Sequence, residues 1–578
     1  MKKIFVRLAI GFTTFWLVVF VIVIIALLMH ETVKSDSILK ITLAGPLTEQ
    51  KTPRLAALFD EQHSFSIREI IESIKSAAND SRIKGLVLEV QQSTGSVASL
   101  NEIEEAMAYF RESGKWNAAF IETAGELSSG DAILALAATA NEIYLAPSGQ
   151  INLTGLRLVV PFFKGTLKKL EIEPYVAKRY QYKNAPDTFT ENSFSIAHKE
   201  SIKTLTDDLE STVAEHLAKR RKVTTEVIAK WQEASPINSK EAHEKGLVDH
   251  LAYWNTVATI AQKKAGRDDC FVSLSNYINA HTLHKNGRKI ALIVGSGEIH
   301  RGNSSSLLNG GPDIGCATMV KAFSNARQQN VAGILFRINS PGGSYVASDI
   351  IRHEIELCHA QKIPVVVSMG TYAASGGYLA TLGADHVVAT PGTITGSIGV
   401  YAMSFATRRF WQNLLGVTFD VYATNPNAVD LWFLDPPNKR ERMALDRDLD
   451  RIYQDFIVKT ATARKKSSDE IDAIAKGKIW SGKSAVANGL VDELGGIEVA
   501  LNRLKSLAKI KDTDDVNIIE LPIDDGPFAM LQQLTSKASY FSNIRSSKLR
   551  QAINTAARWS NSDNESLLML PKGFSVRF

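Results

Sequence analysis

Two short stretches in the C-terminal half carry residue types that together do acyl-transfer chemistry. The run Arg337-Ile338-Asn339-Ser340-Pro341-Gly342-Gly343-Ser344 contains a Pro-Gly-Gly step. With no side chains on Gly342 and Gly343, the backbone amides of such a turn can face a ligand, which makes it a candidate oxyanion cradle. Farther along, Tyr372-Ala373-Ala374-Ser375-Gly376-Gly377-Tyr378 is a strand-to-helix turn of small residues around one serine. Ser375 there is a candidate nucleophile. The Gly376 amide and the start of the helix behind it favour developing negative charge. Alone, such a serine is also an ordinary helix cap; beside the Pro-Gly-Gly loop it reads as a nucleophile.

A serine hydroxyl needs a base. Beyond the Pro-Gly-Gly loop this half offers His353, His359 and His386, but two sit on the polar face of a helical segment and the third begins a strand, so all read as solvated. The alternative is a lysine kept neutral by burial, because desolvation disfavours the ammonium form. Asp249, Asp385 and Asp492 read as strand-edge or cap residues. No cluster of His, Cys, Asp and Glu has metal-ligand spacing and no phosphate loop follows a strand, so neither a metal nor a cofactor is expected. Cys270, Cys316 and Cys358 are the only cysteines, lack CxxC spacing, and read as buried thiols.

The elements that must position these residues alternate. Short apolar runs at Leu86–Val90, Phe120–Thr123, Ile334–Ile338 and Pro364–Ser368 read as buried strands, and Asn101–Arg111 and Ser348–Gln361 as the helices between them. Such alternation implies an α/β fold with parallel sheets and right-handed crossovers. The pattern also occurs twice. Gly246-Leu247-Val248-Asp249 returns as Gly489-Leu490-Val491-Asp492, and Ser148-Gly149-Gln150-Ile151 answers Pro391-Gly392-Thr393-Ile394, both at an offset of 243. Gly85-Leu86-Val87-Leu88 answers Gly333-Ile334-Leu335-Phe336 at 248, and Ile38–Leu47 resembles Ile290–Ile299. Two homologous halves are therefore expected at 36–265 and 286–506, joined by a polar stretch from Gly266 to Arg288. The tail 507–578 is expected to be helical and polar in turns and carries no assigned role.

The halves differ where chemistry is at stake. The first-half counterpart of the Pro-Gly-Gly loop, Gln91-Gln92-Ser93-Thr94-Gly95, has lost the proline and one glycine. Ser129-Gly130 aligns with Ser375-Gly376 only across a gap.

Leu8–Met29 is a run of 22 residues without a charge, long enough at about 1.5 Å per residue to cross a bilayer core of roughly 30 Å. It is longer than a signal-peptide core and no A-x-A site follows, so an uncleaved anchor is expected in residues 1–30. Lys2, Lys3 and Arg7 precede the run and stay cytoplasmic, which puts residues 31–578 on the far side, the periplasm in a bacterium. The 66 Lys and Arg nearly balance 61 Asp and Glu, so there is no basic field and nucleic acid is not an expected partner.

With the anchor, the duplication and the paired motifs assembled, the sequence resembles the long form of the signal peptide peptidase A (protease IV) family over residues 1 to about 506. That resemblance implies tandem crotonase-like, Clp-protease-like domains and a serine endopeptidase with a Ser-Lys dyad. It carries the nucleophile onto Ser375 of Ala-Ser-Gly-Gly-Tyr. The base falls on Lys183 of Tyr182-Lys183-Asn184-Ala185-Pro186, and a supporting hydroxyl on Ser397 of Thr395-Gly396-Ser397-Ile398-Gly399. The oxyanion donors fall on Gly376 and on Gly342 or Gly343. The Clp subunit, which shares the fold, uses a histidine after its serine; the matching stretch here, Gly399-Val400-Tyr401, has none. Near Asn425–Val429, where the second-half counterpart of Lys183 falls, there is no lysine between Gln412 and Asn438, so each half lacks what the other keeps and one composite site is expected. The resemblance further implies cleaved signal peptides and other hydrophobic peptides as substrates, attachment to the inner membrane, and a homotetramer. The competing readings are a crotonase-fold enzyme acting on acyl thioesters and an inactive membrane scaffold.

Overall fold

The computed structural model of the 578-residue chain describes residues 33–45, 47–50, 65–91, 95–126, 128–280, 287–304, 312–425, 428, 434–511, 514–522 and 567–569. The apolar run Leu8–Met29, the centre of the loop after Gln91 and most of the chain beyond 522 lie outside these residues. Among the described residues no helix is long and apolar enough to cross a membrane.

Near-continuous runs of apolar residues make strands that are buried on both faces, which is what a parallel sheet covered by helices requires. The first sheet contains β1 (Ser37–Leu43), β2 (Ile83–Val90), β3 (Trp116–Ile121), β4 (Glu142–Leu145), β5 (His250–Leu251) and β6 (Phe271–Ser273). Their order is β5-β4-β3-β2-β1-β6, every pair parallel. The second contains β7 (Arg288–Ser296), β8 (Gly333–Ser340), β9 (Val365–Ala374), β10 (His386–Ala389), β11 (Ile394–Gly396), β12 (Ile479–Ser481), β13 (Glu493–Leu494) and β14 (Val516–Leu521). It runs β12-β11-β9-β8-β7-β14, with β10 between β9 and β13; here only β11 and β12 pair antiparallel.

The duplication is visible in hydrogen bonds. Arg221 pairs with Asp249 while its Nε donates to the Gly246 carbonyl, and Asp249 accepts from the Ile143 amide. Arg464, Asp492, Gly489 and Val387 repeat the arrangement. Asp249 and Asp492 are thus the strand-edge residues expected, and Asp385 caps the Val365 amide. Two segments depart from expectation. The stretch joining the halves is not plain polar linker: it contains β6, paired with β1, and a helix Leu274–Ala280 that buries Leu274 and Tyr277. The expected helical tail begins with β14 instead, a run rich in β-branched and apolar residues that pairs with β7 as β6 does with β1.

The halves share an apolar cluster, in which Leu86, Leu88 and Ile103 of the first lie with Leu292, Val366 and Leu504 of the second, and a separate cluster that includes Phe336, Ile355 and Val367 fills the other face of the second sheet. A third sheet crosses between them. In it Glu173–Arg179 of the first half pairs antiparallel with Val400–Ala406 of the second, from Val400↔Arg179 to Ala406↔Glu173. On its other side stand the short strands Asp313–Gly315, Glu298–His300 and Gly342–Ser344. Between Gly342–Ser344 and Val400–Ala406 there is room for a single strand, and Leu567–Met569 occupies it, antiparallel to the first and paired with the second at Tyr401.

Candidate active site

Ser375 follows the last residue of β9, and a helix of one turn, Gly376–Leu379, begins right after it. Its φ of 55° and ψ of −118° lie outside the wells an L-residue favours, a strain on the order of 1–3 kcal/mol. Two hydrogen bonds hold it there: the Ser375 amide donates to the Gly396 carbonyl at 2.7 Å, and its carbonyl accepts from the Leu379 amide at 2.9 Å. With so short a helix, the donor at this turn is the Gly376 amide itself rather than a macrodipole. The cradle loop lies at the end of β8, next to β9. The Gly342 amide donates to Ser340 Oγ at 3.1 Å, so it is already engaged. A Cβ on Gly376 would lie 3.1 Å from the Gly343 nitrogen, which shows how close the two glycines stand.

Lys183 arrives from the first half. The strand Glu173–Arg179 delivers the turn Tyr180–Lys183, and its partner strand follows directly from the Ser397 turn, so pairing Arg179 with Val400 sets the two turns side by side. Lys183 Nζ lies 2.6 Å from Ser375 Oγ, 3.0 Å from Ser397 Oγ and 3.0 Å from the Ser397 carbonyl. Lys183 is 1% exposed, Ser375 0% and Ser397 2%. Burial pushes the lysine well below its ordinary pKa, which is how an amine becomes a base at moderate pH.

The structure therefore brings Ser375, Lys183, Ser397, Gly376 and Gly343 together. The histidines of this half are engaged elsewhere, each with a carboxylate: His300 with Asp313, His353 with Glu356, His359 with Asp385 and His386 with Glu493. The cysteines are free and buried. In the first half it is Gly130, not Ser129, that stands in the place of Ser375: its amide donates to the Asn152 carbonyl and its carbonyl accepts from Leu134, the pattern Ser375 makes with Gly396 and Leu379. Ser129 Oγ instead bonds Asp131.

Sequence reasoning missed the supports. Arg337, inside the quoted loop motif, is buried and donates to Glu49 and Glu102 of the first half and to Ser368 of β9. A charged residue in an otherwise apolar strand was the available signal. Gly477, whose backbone lies against that of Lys183, and Tyr453, whose hydroxyl accepts from the Lys476 amide, carried no local signal.

A strained serine facing a buried amine, beside glycine amides, is the arrangement of a serine hydrolase that uses lysine in place of histidine. Residues 124–268 and 358–511 match the model of the family described as Peptidase family S49. "Protease 4" of Salmonella typhi is 31% identical over 485 residues, covering 80% of this chain and 76% of that protein. "Serine protease SPPA, chloroplastic" of Arabidopsis thaliana is 28% identical over 500 residues, covering 85% and 72%. "Protease 4" of Haemophilus influenzae is 28% identical over 560 residues, covering 91% and 87%. Among solved structures, ClpP1 from Listeria monocytogenes aligns with 36% of this chain and 91% of its own, at 17% identity and a TM-score of 0.22. The chain belongs to peptidase family S49 and is a serine protease.

Proposed function

We propose that this serine protease cuts peptides with a Ser375–Lys183 dyad assembled from its two halves, 36–265 and 286–506. The observation that carries the reading is the 2.6 Å approach of Lys183 Nζ to Ser375 Oγ, two side chains that are both buried. Neutral Lys183 accepts the Ser375 proton as Oγ attacks the peptide carbonyl. The Gly376 and Gly343 amides hold the oxyanion, while Gly342 keeps the loop in shape through Ser340. The ammonium of Lys183 then gives its proton to the leaving amine, and water hydrolyses the acyl-enzyme with Lys183 again as base. Ser397 fixes the amine by accepting from it at both its hydroxyl and its carbonyl.

The one-strand slot between Gly342–Ser344 and Val400–Ala406 suits an extended peptide, which would add its main chain to both edges. Leu8–Met29 is assigned as the anchor, with residues 31–578 on the non-cytoplasmic side of the inner membrane. Signal peptides left in the bilayer and other hydrophobic peptides are the substrates this placement and the resemblance favour, with a homotetramer as the assembly.

Full-length protein in detergent, given a hydrophobic signal-like peptide, tests the dyad. Lys183→Ala, still folded, should lose about a thousandfold or more in kcat; full activity in that variant would place the base elsewhere. If wild type itself cut no peptide, the scaffold reading would move ahead. Digestion of residues 31–578 by protease added to intact cells stripped of their outer layers supports the far-side placement, and protection overturns it.

A further inference from the structure

The two halves differ again at the turn that precedes β12. In the first half the helix Thr225–Glu233 is capped by Ala234 and the next helix by Asn238, leaving the three residues 235–237 between caps. In the second half the caps are Ala475 and Ser481, leaving the five residues 476–480. The longer turn is the one that reaches the active site. The Lys476 carbonyl accepts from the Tyr182 amide at 3.2 Å, the Gly477 amide donates to the Ile398 carbonyl at 2.8 Å, and the Lys478 carbonyl accepts from the Ser397 amide at 2.8 Å. Three consecutive residues thus tie the lysine turn of one half to the Ser397 turn of the other.

Gly477 is the point of contact. Its φ is +85°, and a Cβ there would lie 2.5 Å from the Lys183 nitrogen, 2.7 Å from its Cα and 2.8 Å from its Cβ. All three are far inside van der Waals contact, and two are main-chain atoms, so any side chain at 477 requires Lys183 itself to move. The turn is fixed from behind by Tyr453, which is 1% exposed. Its hydroxyl accepts from the Lys476 amide at 3.3 Å and donates to Asp472 at 2.6 Å. Its ring packs edge-on against Tyr180 at 4.8 Å, and the Tyr180 carbonyl accepts from the Lys183 amide.

We propose that Lys476–Lys478 is a positioning clamp for Lys183, in which the bare backbone of Gly477 sets how far the amine reaches toward Ser375 and Tyr453 holds the clamp in place. This rests on Lys183 being the base. The turn is longer here at the expense of the helix before it, seven residues against nine, and this is the half that has to receive a lysine from the other. A displacement of about 1 Å at a reacting group can cost on the order of a hundredfold in rate, and Gly477 is where such a displacement is prevented.

The test uses the full chain and four substitutions. Asn tolerates positive φ but carries a Cβ, so Gly477→Asn isolates the contact from backbone strain. Gly246→Asn is the control: φ there is +78° and nothing lies within 4 Å of a Cβ. We expect Gly477→Asn to lose about a hundredfold in kcat with KM little changed. The acid limb of its pH profile should move up by about one unit as the displaced amine regains water. Gly246→Asn should match wild type in both. Should Gly477→Asn fail to fold, Tyr453→Phe serves instead: kcat falls and the limb moves in the same direction. A Gly477→Asn or Tyr453→Phe protein with wild-type kcat and an unmoved limb, while Lys183→Ala is dead, overturns the clamp. An active Lys183→Ala overturns the dyad instead.

Discussion

Arg337 of the second half and Glu102 of the first are joined by two parallel hydrogen bonds of 2.8 Å, and both side chains are almost completely buried. The same guanidinium is bound by Glu49 and reaches Ser368 of β9. Glu102 also accepts from the Ile497 amide. One arginine therefore braces the strand that ends in the cradle against the strand that ends in Ser375. Removing one member of a buried pair leaves the others unpaired at a cost of about 3–5 kcal/mol. Arg337→Ala should lower the urea midpoint accordingly, and a loss under about 1 kcal/mol would show that the pair is relaxed by water.

Ser397 contributes a hydroxyl and a carbonyl to the same amine, each at 3.0 Å. Ser397→Ala removes only the hydroxyl, a hydrogen bond worth about 0.5–1.5 kcal/mol. The expected loss in kcat is roughly 3- to 10-fold, far smaller than for Lys183→Ala. Equal losses in the two variants would mean that Ser397 itself carries the proton.

How much of this is legible before folding depends on whether the signal is local. Ser375 and the Pro-Gly-Gly loop announce themselves because each is a short turn whose residue types are demanded by its own backbone. The duplication is legible because strand and helix patterns repeat in order. Lys183 is not: it lies 192 positions from Ser375, and only a family resemblance singles it out of 66 basic residues. Gly477 acts on a main chain about three hundred positions away, where no periodicity reports it. The β-strand at Val516–Leu521 was expected to be helical although its Val-Asn-Ile-Ile-Glu-Leu run favours a strand, and the Gly130–Ser375 equivalence needed hydrogen bonds, since the residue types alone draw Ser129 to the nucleophile position.

The strand position beside the cradle is taken by Leu567–Met569. A peptide substrate has to displace these residues to pair with Gly342–Ser344. Removing residues 567–578 should lower KM for a short apolar peptide by about threefold or more, as loss of a tethered competitor does, with kcat unchanged. An unaltered KM would show that substrate does not use this slot.

The buried lysine also makes a claim about stability. Its pKa is well below 10.5 in the folded chain, through burial, and near 10.5 when unfolded. Between those values the unfolded chain holds a proton that the folded chain does not, so this group's contribution rises with pH through the window and is complete only above 10.5. Stability lost to Lys183 therefore grows as pH falls toward the folded pKa. Lys183→Met keeps the volume without the charge and should be the more stable protein at neutral pH. The gap should shrink by about 1.4 kcal/mol per pH unit on moving up through the window, as read from urea unfolding at a series of pH values. Kinetics should show the same titration from the other side: kcat/KM of wild type rises with pH as Lys183 loses its proton, with a midpoint well below that of an ordinary lysine. A Lys183→Met protein no more stable than wild type, together with a midpoint near 10.5, would mean that the amine is hydrated and charged in solution, and the chemistry at Ser375 would then need another base.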